Sequence, residues 1–202
     1  MARKTKAEAE KTRRDILRAA LDLFYEKGYS KTTFDEIAKR INLTKGAVYW
    51  HFRNKPDIVS ALIKEAFERV TAVIESHLPD GPGLKTMQTA FVKDAVLIRD
   101  NPDYRKFLFF VLFQMEWSEP IFKKIGDSLR DIRHFPLHQT KQALTFAQKS
   151  GEISPNINIE ETAVAILAFW DGLVRCEISN SSPYDFPTLV NNSFDIVIKG
   201  LK

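Results

Sequence analysis

The chain has 202 residues, 44% of them hydrophobic, which is ample for buried cores in a small domain joined to a mid-sized one. Its 30 Lys and Arg against 26 Asp and Glu are unevenly placed: residues 1–55 hold 14 basic against 7 acidic side chains, and the remainder 16 against 19. A basic N-terminal quarter on a mildly acidic remainder points to nucleic acid at one end and away from a uniformly basic, membrane-surface protein.

Almost every segment carries helical periodicity, and strand alternation is absent over any useful length. From about Glu8 to Lys27, the residues Ile16, Ala20, Leu23 and Phe24 form an apolar stripe, and Gly28 closes that helix as a left-handed cap. Thr33 and Glu36 then stand in capping-box spacing, with Phe34, Ile37, Ala38 and Ile41 giving the next helix one apolar face. Asn42 and Leu43 form a turn, and Thr44 caps a second short helix with Val48 and Phe52 inward. Asn54 caps, and Pro56 opens, a long helix running to about Leu78, beyond what the small domain can cover. Pro79-Asp-Gly-Pro-Gly83 marks a loop. Beyond it, helices are predicted at about Leu84–Arg99, Pro102–Trp117, Pro120–Lys149, Ile159–Ser179 and Phe186–Leu201, with a kink or break at Pro136. The expected fold is all-α: a three-helix head over residues 1–55 containing a helix-turn-helix, then a connecting helix and a helical bundle over residues 56–202.

The second short helix leaves Lys45, Gly46, Tyr49, Trp50 and His51 outward, a poor surface for plain solubility and a good one for a duplex. Lys45 can reach a base edge or a phosphate, and Gly46 permits close approach of the backbone. Tyr49 and His51 suit phosphate oxygens, while Trp50 is expected on a sugar or a neighbouring helix. Thr33 and Lys55 lie at helix N-termini, where the hydroxyl, the ammonium and the free amides favour a phosphate, and Thr44 stands at the start of the second short helix, on the same outward face. The segment from about Lys11 to Ile63, with Gly28-Tyr29, Thr33, Ile37-Ala38, Lys45-Gly46, Tyr49, His51-Phe52 and Lys55 in register, resembles the DNA-binding domain of TetR-type transcriptional repressors. The runs from Arg3 and from Gly46 to Phe52, and Ala168-Phe-Trp-Asp-Gly-Leu173, are similar to the AcrR and TtgR type that controls multidrug efflux pumps. The resemblance implies that these head positions contact a pseudo-palindromic operator in double-stranded DNA.

In the bundle, Phe107 to Phe113 is apolar all round, so its helix is expected to be buried on most sides. The run is far shorter than the ~20 residues of a membrane span. The basic N-terminus is followed by an amphipathic rather than apolar segment, so neither a signal peptide nor a membrane partner is expected. Cys176, the single cysteine, precludes an intramolecular disulfide, fits a reducing, cytoplasmic setting and is expected in the core. Phe110, Phe113, Gln114, Trp117, Trp170 and Asp171 are candidates to line a pocket for a hydrophobic aromatic effector, although an aromatic core reads the same rings equally well. Asp171 either faces that pocket, as its match to efflux regulators implies, or pairs with Arg175 four residues on. The resemblance also brings a departure, since Leu108 and Leu112 stand where that branch usually has polar groups. Ala163, Leu167, Trp170 and Val174, with Val190, Phe194, Val197 and Leu201, recur at helical spacing and are expected to form a homodimer interface, an arrangement the resemblance also implies. His134 and His138 supply only two ligands, so no metal or other cofactor is expected. With no nucleophile motif or phosphate loop, an enzyme is not expected. Two functions fit: a dimeric repressor released when an effector tilts the long helix and parts the heads, or a dimeric DNA-binding protein whose bundle serves only dimerisation or a protein partner.

Overall fold

The structure, a computed structural model, describes residues 5–75, 83–179 and 183–202. Its regular elements are helices: α1 (Lys6–Lys27), α2 (Phe34–Arg40), α3 (Lys45–His51), α4 (Lys55–Glu75), α5 (Leu84–Asp100), α6 (Pro102–Phe109, continued by a π-helical turn over Phe110–Gln114), α7 (Glu119–Lys149), α8 (Ile159–Ile178) and α9 (Phe186–Gly200). No strand occurs among the described residues. The expected end of the long helix at Leu78 lies outside the described residues, as does most of the Pro79–Gly83 loop. No described helix is long and apolar enough to cross a membrane.

Packing divides the chain into two units. One holds the described residues up to Ala66 with Asp103–Leu129, the other Phe67–Pro102 with Arg130–Lys202, so α4 and α7 each contribute to both. The boundary expected after residue 55 therefore separates a stretch of chain rather than a packing unit.

In the first unit α1 begins at Lys6, two residues earlier than expected. Thr5 and Glu8 form a capping box there, with the Thr5 N–H donating to Glu8 Oε2 at 2.8 Å and the Glu8 N–H to Thr5 Oγ1 at 3.3 Å. Ile16, Leu17, Ala20 and Phe24 enter the core, and Gly28 ends the helix with φ +88, a region that side chains disfavour. The helix predicted to reach Trp117 instead widens into the π-turn, which closes with the Met115 N–H on Phe110 O at 2.8 Å. Phe107 and Phe110 are buried, whereas Phe113 is 47% exposed, so the all-round apolar run is not buried on every side. The α6 segment lies against α1: Phe110 stacks on Phe24 at 5.0 Å, Phe109 meets Tyr25 edge-on at 5.1 Å, and Lys106 pairs with Asp22.

The second unit centres on α5 and α9. Phe91 stacks on Phe194 at 4.5 Å, and Gln88 Nε2 donates to Asn191 O at 3.0 Å and Asp195 Oδ1 at 2.7 Å. Asn158 caps α8 and Asp185 caps α9, each with a side-chain oxygen on backbone amides of the first turn. Rather than breaking at Pro136, α7 remains one helix of 31 residues. The missing donor of a proline costs one bond of the ladder, which resumes on both sides.

Candidate nucleic-acid interface

The helix-turn-helix is held by its caps and by ion pairs between neighbouring helices. Thr33 caps α2: the Glu36 N–H donates to its hydroxyl oxygen at 3.3 Å, while the Thr33 N–H and hydroxyl donate to Glu36 Oε2 at 2.9 and 2.7 Å. Lys27 of α1 also pairs with Glu36, and these bonds pull its carboxyl down to about 2, the Lys27 bond contributing most. Arg40 grips Glu26 of α1 with both terminal nitrogens, at 2.9 and 2.6 Å, fixing the far end of α2. The turn then closes as a Schellman motif: Leu43 N–H donates to Ala38 O at 2.8 Å and Asn42 N–H to Lys39 O at 3.2 Å, with Asn42 left-handed at φ 54.

Thr44 caps α3 by accepting the Ala47 N–H at 3.2 Å. Within α3 Val48 alone is buried, and Phe52 at its end is buried as well, as the periodicity predicts. The other side faces outward. Lys45, Gly46, Tyr49 and Trp50 are exposed, Trp50 to 74%, and His51 is half-buried. Tyr49 leans on Phe34 of α2 at 4.8 Å, which fixes its ring and leaves it half-exposed, while Trp50 meets His51 edge-on at 4.6 Å. A Cβ added to Gly46 would meet only Thr44 Oγ1, at 3.9 Å, so nothing in the chain's own packing requires a glycine there.

Both lysines expected on DNA have intramolecular partners. Lys45 Nζ donates to Asp35 Oδ2 at 2.6 Å, and that bond raises the ammonium's pKa. A phosphate approaching Lys45 must therefore share it with a carboxylate. Lys55 departs further from expectation. Its Nζ donates to Tyr29 O at 2.7 Å and Ser30 O at 3.2 Å and lies 4.5 Å from the Tyr29 ring centroid, while burial lowers its pKa. The ammonium assigned to a phosphate is thus turned onto the α1–α2 connection, whose carbonyls satisfy it. Asp35 went unnoticed as the partner of Lys45, although it lies in the first turn of the preceding helix. Exposed Lys31, just before the α2 cap, and Arg53, just after α3, flank the same two helices and carry no spacing signal of their own.

The expected effector residues fall in both units. In the first, Phe110 is core, Phe113 rests on Phe109 at 5.5 Å, Gln114 Nε2 donates to Tyr25 O at 3.0 Å, and Trp117 stacks on Phe122 at 5.1 Å with its Nε1 donating to Val111 O. The Gln114 Oε1 is buried without a donor. In the second unit Trp170 lies between Phe91 and Phe186, at 5.2 and 6.0 Å. Asp171 is exposed and takes Arg175 Nε at 2.8 Å, the pair its i, i+4 spacing allows, rather than a place among the rings.

The residues expected at a dimer face differ in their burial within the single chain. Ala163, Val174, Val190 and Phe194 are enclosed by the chain's own core, and Leu167, Trp170, Val197 and Leu201 are half-buried. The exposed line on α8 is instead Val164, Ala168, Gly172 and Cys176, at steps of four, with Ile196 exposed on α9. Cys176 is thus a surface thiol, not a core residue.

The sequence pattern of bacterial regulatory proteins of the tetR family matches residues 16–62, from within α1 to within α4. Over 184 residues the chain is 32% identical to the HTH-type transcriptional regulator TtgR of Pseudomonas putida, spanning 87% of this chain and 84% of that one. Over 199 residues it is 27% identical to the probable acrEF/envCD operon repressor of Escherichia coli, spanning 95% and 89%. The fold is like that of NalD, the secondary repressor of the MexAB-OprM multidrug efflux pump in Pseudomonas aeruginosa, with a TM-score of 0.81 at 23% identity over 96% of each chain. A helix-turn-helix with an outward basic and aromatic face, matched in pattern and extended by a relative along most of its length, makes the conclusion plain: the chain belongs to the tetR family of bacterial regulatory proteins, which are transcriptional regulators and not enzymes.

Proposed function

We propose that the chain is a cytoplasmic, dimeric repressor that binds a pseudo-palindromic operator through residues 1–55 and is released by a hydrophobic aromatic effector bound through residues 56–202. The outward face of α3 carries this reading, above all Gly46, whose missing side chain serves no internal contact. Similarity to an operon repressor supports the sign of regulation. The exposed apolar line on α8, with Ile196 on α9, supports pairing of two copies, because an unpaired monomer leaves it in water. Of the effector residues, Phe113, Gln114 and Trp117 are grouped at the π-turn, a feature common at functional sites. The unpaired Gln114 Oε1 there favours an aromatic compound bearing a hydrogen-bond donor. Two heads must enter successive major grooves about 34–36 Å apart, or a longer in-phase spacing. A coupling of about 1–3 kcal/mol from an effector that prefers the DNA-incompatible state lowers operator affinity about 5- to 150-fold.

The test is selection of bound duplexes from a random pool, followed by a screen of aromatic compounds for release. Enrichment of a two-fold-symmetric site is expected, and a pool that stays random refutes the reading. For a releasing compound, operator must weaken compound binding by the same factor that the compound weakens operator binding.

A further inference from the structure

The connection between α1 and α2, residues 28–33, is gripped from two sides within the first unit. From one side Lys55 donates to the carbonyls of Tyr29 and Ser30. From the other the Ser30 hydroxyl donates to Glu116 Oε2 at 2.7 Å, across 86 residues of sequence. Thr32 completes the connection by donating its hydroxyl to Gly28 O at 2.9 Å. Glu116 follows directly on the π-turn, and two residues earlier Gln114 donates to the Tyr25 carbonyl in the last turns of α1. The end of α1 is therefore held at residue 25 and again at residue 30 by one short stretch, 114–116.

Glu116 differs from an ordinary surface carboxylate in what surrounds it. Its charge acts on Lys55, favouring the ammonium that burial disfavours, and on the Tyr29 hydroxyl, which it helps keep protonated. The carboxylate thus complements a half-buried cation held by two carbonyls and a ring. The connection it holds leads straight into the Thr33 cap, and α2 passes its position to α3 through the turn at Asn42 and the Asp35–Lys45 pair.

We propose that Glu116 is a positioning residue for DNA recognition: with Lys55 it fixes the α1–α2 connection, so that the stretch after the π-turn sets the placement of the helix-turn-helix. This rests on the DNA-binding reading above. The test uses the full chain with Ser30→Ala, Glu116→Ala, the double variant and Ser30→Thr, which keeps the hydroxyl donor. The first readout needs no DNA. Amide exchange at Ser30–Glu36 should accelerate about three- to tenfold in Ser30→Ala and Glu116→Ala and stay at the wild-type rate in Ser30→Thr, with the core amides of α5 and α9 unchanged. The second readout is affinity for the selected operator, expected to fall about three- to tenfold in each single variant. The double variant should be no weaker than the weaker single, since both changes remove one bond. Wild-type exchange in both single variants, or operator losses that simply multiply in the double variant, overturns the proposal. A wild-type chain that selects no operator refutes the DNA-binding function, and the exchange rates still decide the grip on the connection.

Discussion

Replacing Gly46 by Ala separates what α3 needs for folding from what it needs for recognition. The residue is the second of a seven-residue helix, its φ lies outside the left-handed region, and an added Cβ would make only an ordinary contact with Thr44 Oγ1 at 3.9 Å. Nothing strains, so the change should stabilise the chain by about 0.5–1 kcal/mol through lost freedom of the unfolded backbone. For a chain of this size that corresponds to a rise of roughly 1–4 °C in Tm. If the α3 backbone closes onto a phosphate or sugar at this position, the same methyl group forces the surfaces apart at a cost of about 1–3 kcal/mol, or about 5- to 150-fold in operator affinity. Thermal unfolding and an operator titration on one preparation read both quantities. Opposite movement, with higher Tm and weaker binding, is the expected result. Undiminished affinity removes Gly46 from the interface, and a lowered Tm contradicts the open space found around it.

Lys45→Ala and Tyr49→Phe should both weaken operator binding without unfolding, and Lys45→Ala should flatten the fall of affinity with salt by about 0.9 in logarithmic slope. Asp35→Asn, which frees Lys45, should instead strengthen binding to random duplex and steepen that slope; identical slopes for it and wild type would mean that the pair is not felt on DNA. Glu36 titrates at about 2 in the folded chain, below its ordinary 4.5, so its contribution to stability is full above about pH 4.5 and is lost as pH falls toward 2. Glu36→Gln should flatten that part of the acid-unfolding profile, and a side-chain titration midpoint near the ordinary value would contradict the capping geometry. Val164→Glu or Ile196→Glu should give folded monomers with lost operator affinity. Phe194→Glu, aimed at the residue first expected in the interface, should unfold the chain because that ring is fully buried; sedimentation and circular dichroism distinguish the outcomes.

Residues read correctly from the chain alone are those whose partners lie within a few positions. Thr33 with Glu36, Asn42 in its turn, Thr44 as a cap and the inward Val48 are all local matters, set by hydrogen bonds three to five residues apart. Lys55 could not be read this way, because the carbonyls that take its ammonium stand 25 and 26 residues earlier. The exposed stripe of α8 was hidden for another reason. In α8 apolar residues occupy nearly every angle, so periodicity selects an apolar stripe without saying which stripe the core has already taken. The π-turn after Phe109 was invisible for a third, since a five-residue widening of a phenylalanine-rich helix changes no residue type.

Val48 is the one residue of α3 that the core holds, with Phe52 just beyond its end. The exposed Gly46 and Trp50 can change without touching the buried core of the head, and Lys45 and Tyr49 can change at the cost only of their contacts with Asp35 and Phe34. Such an arrangement lets a lineage drift from one DNA sequence to another by exchanging surface residues, with stability left nearly constant along the way. It also lets an experimenter graft the outward residues of a relative's α3 onto this chain and move the address it reads while leaving the scaffold intact.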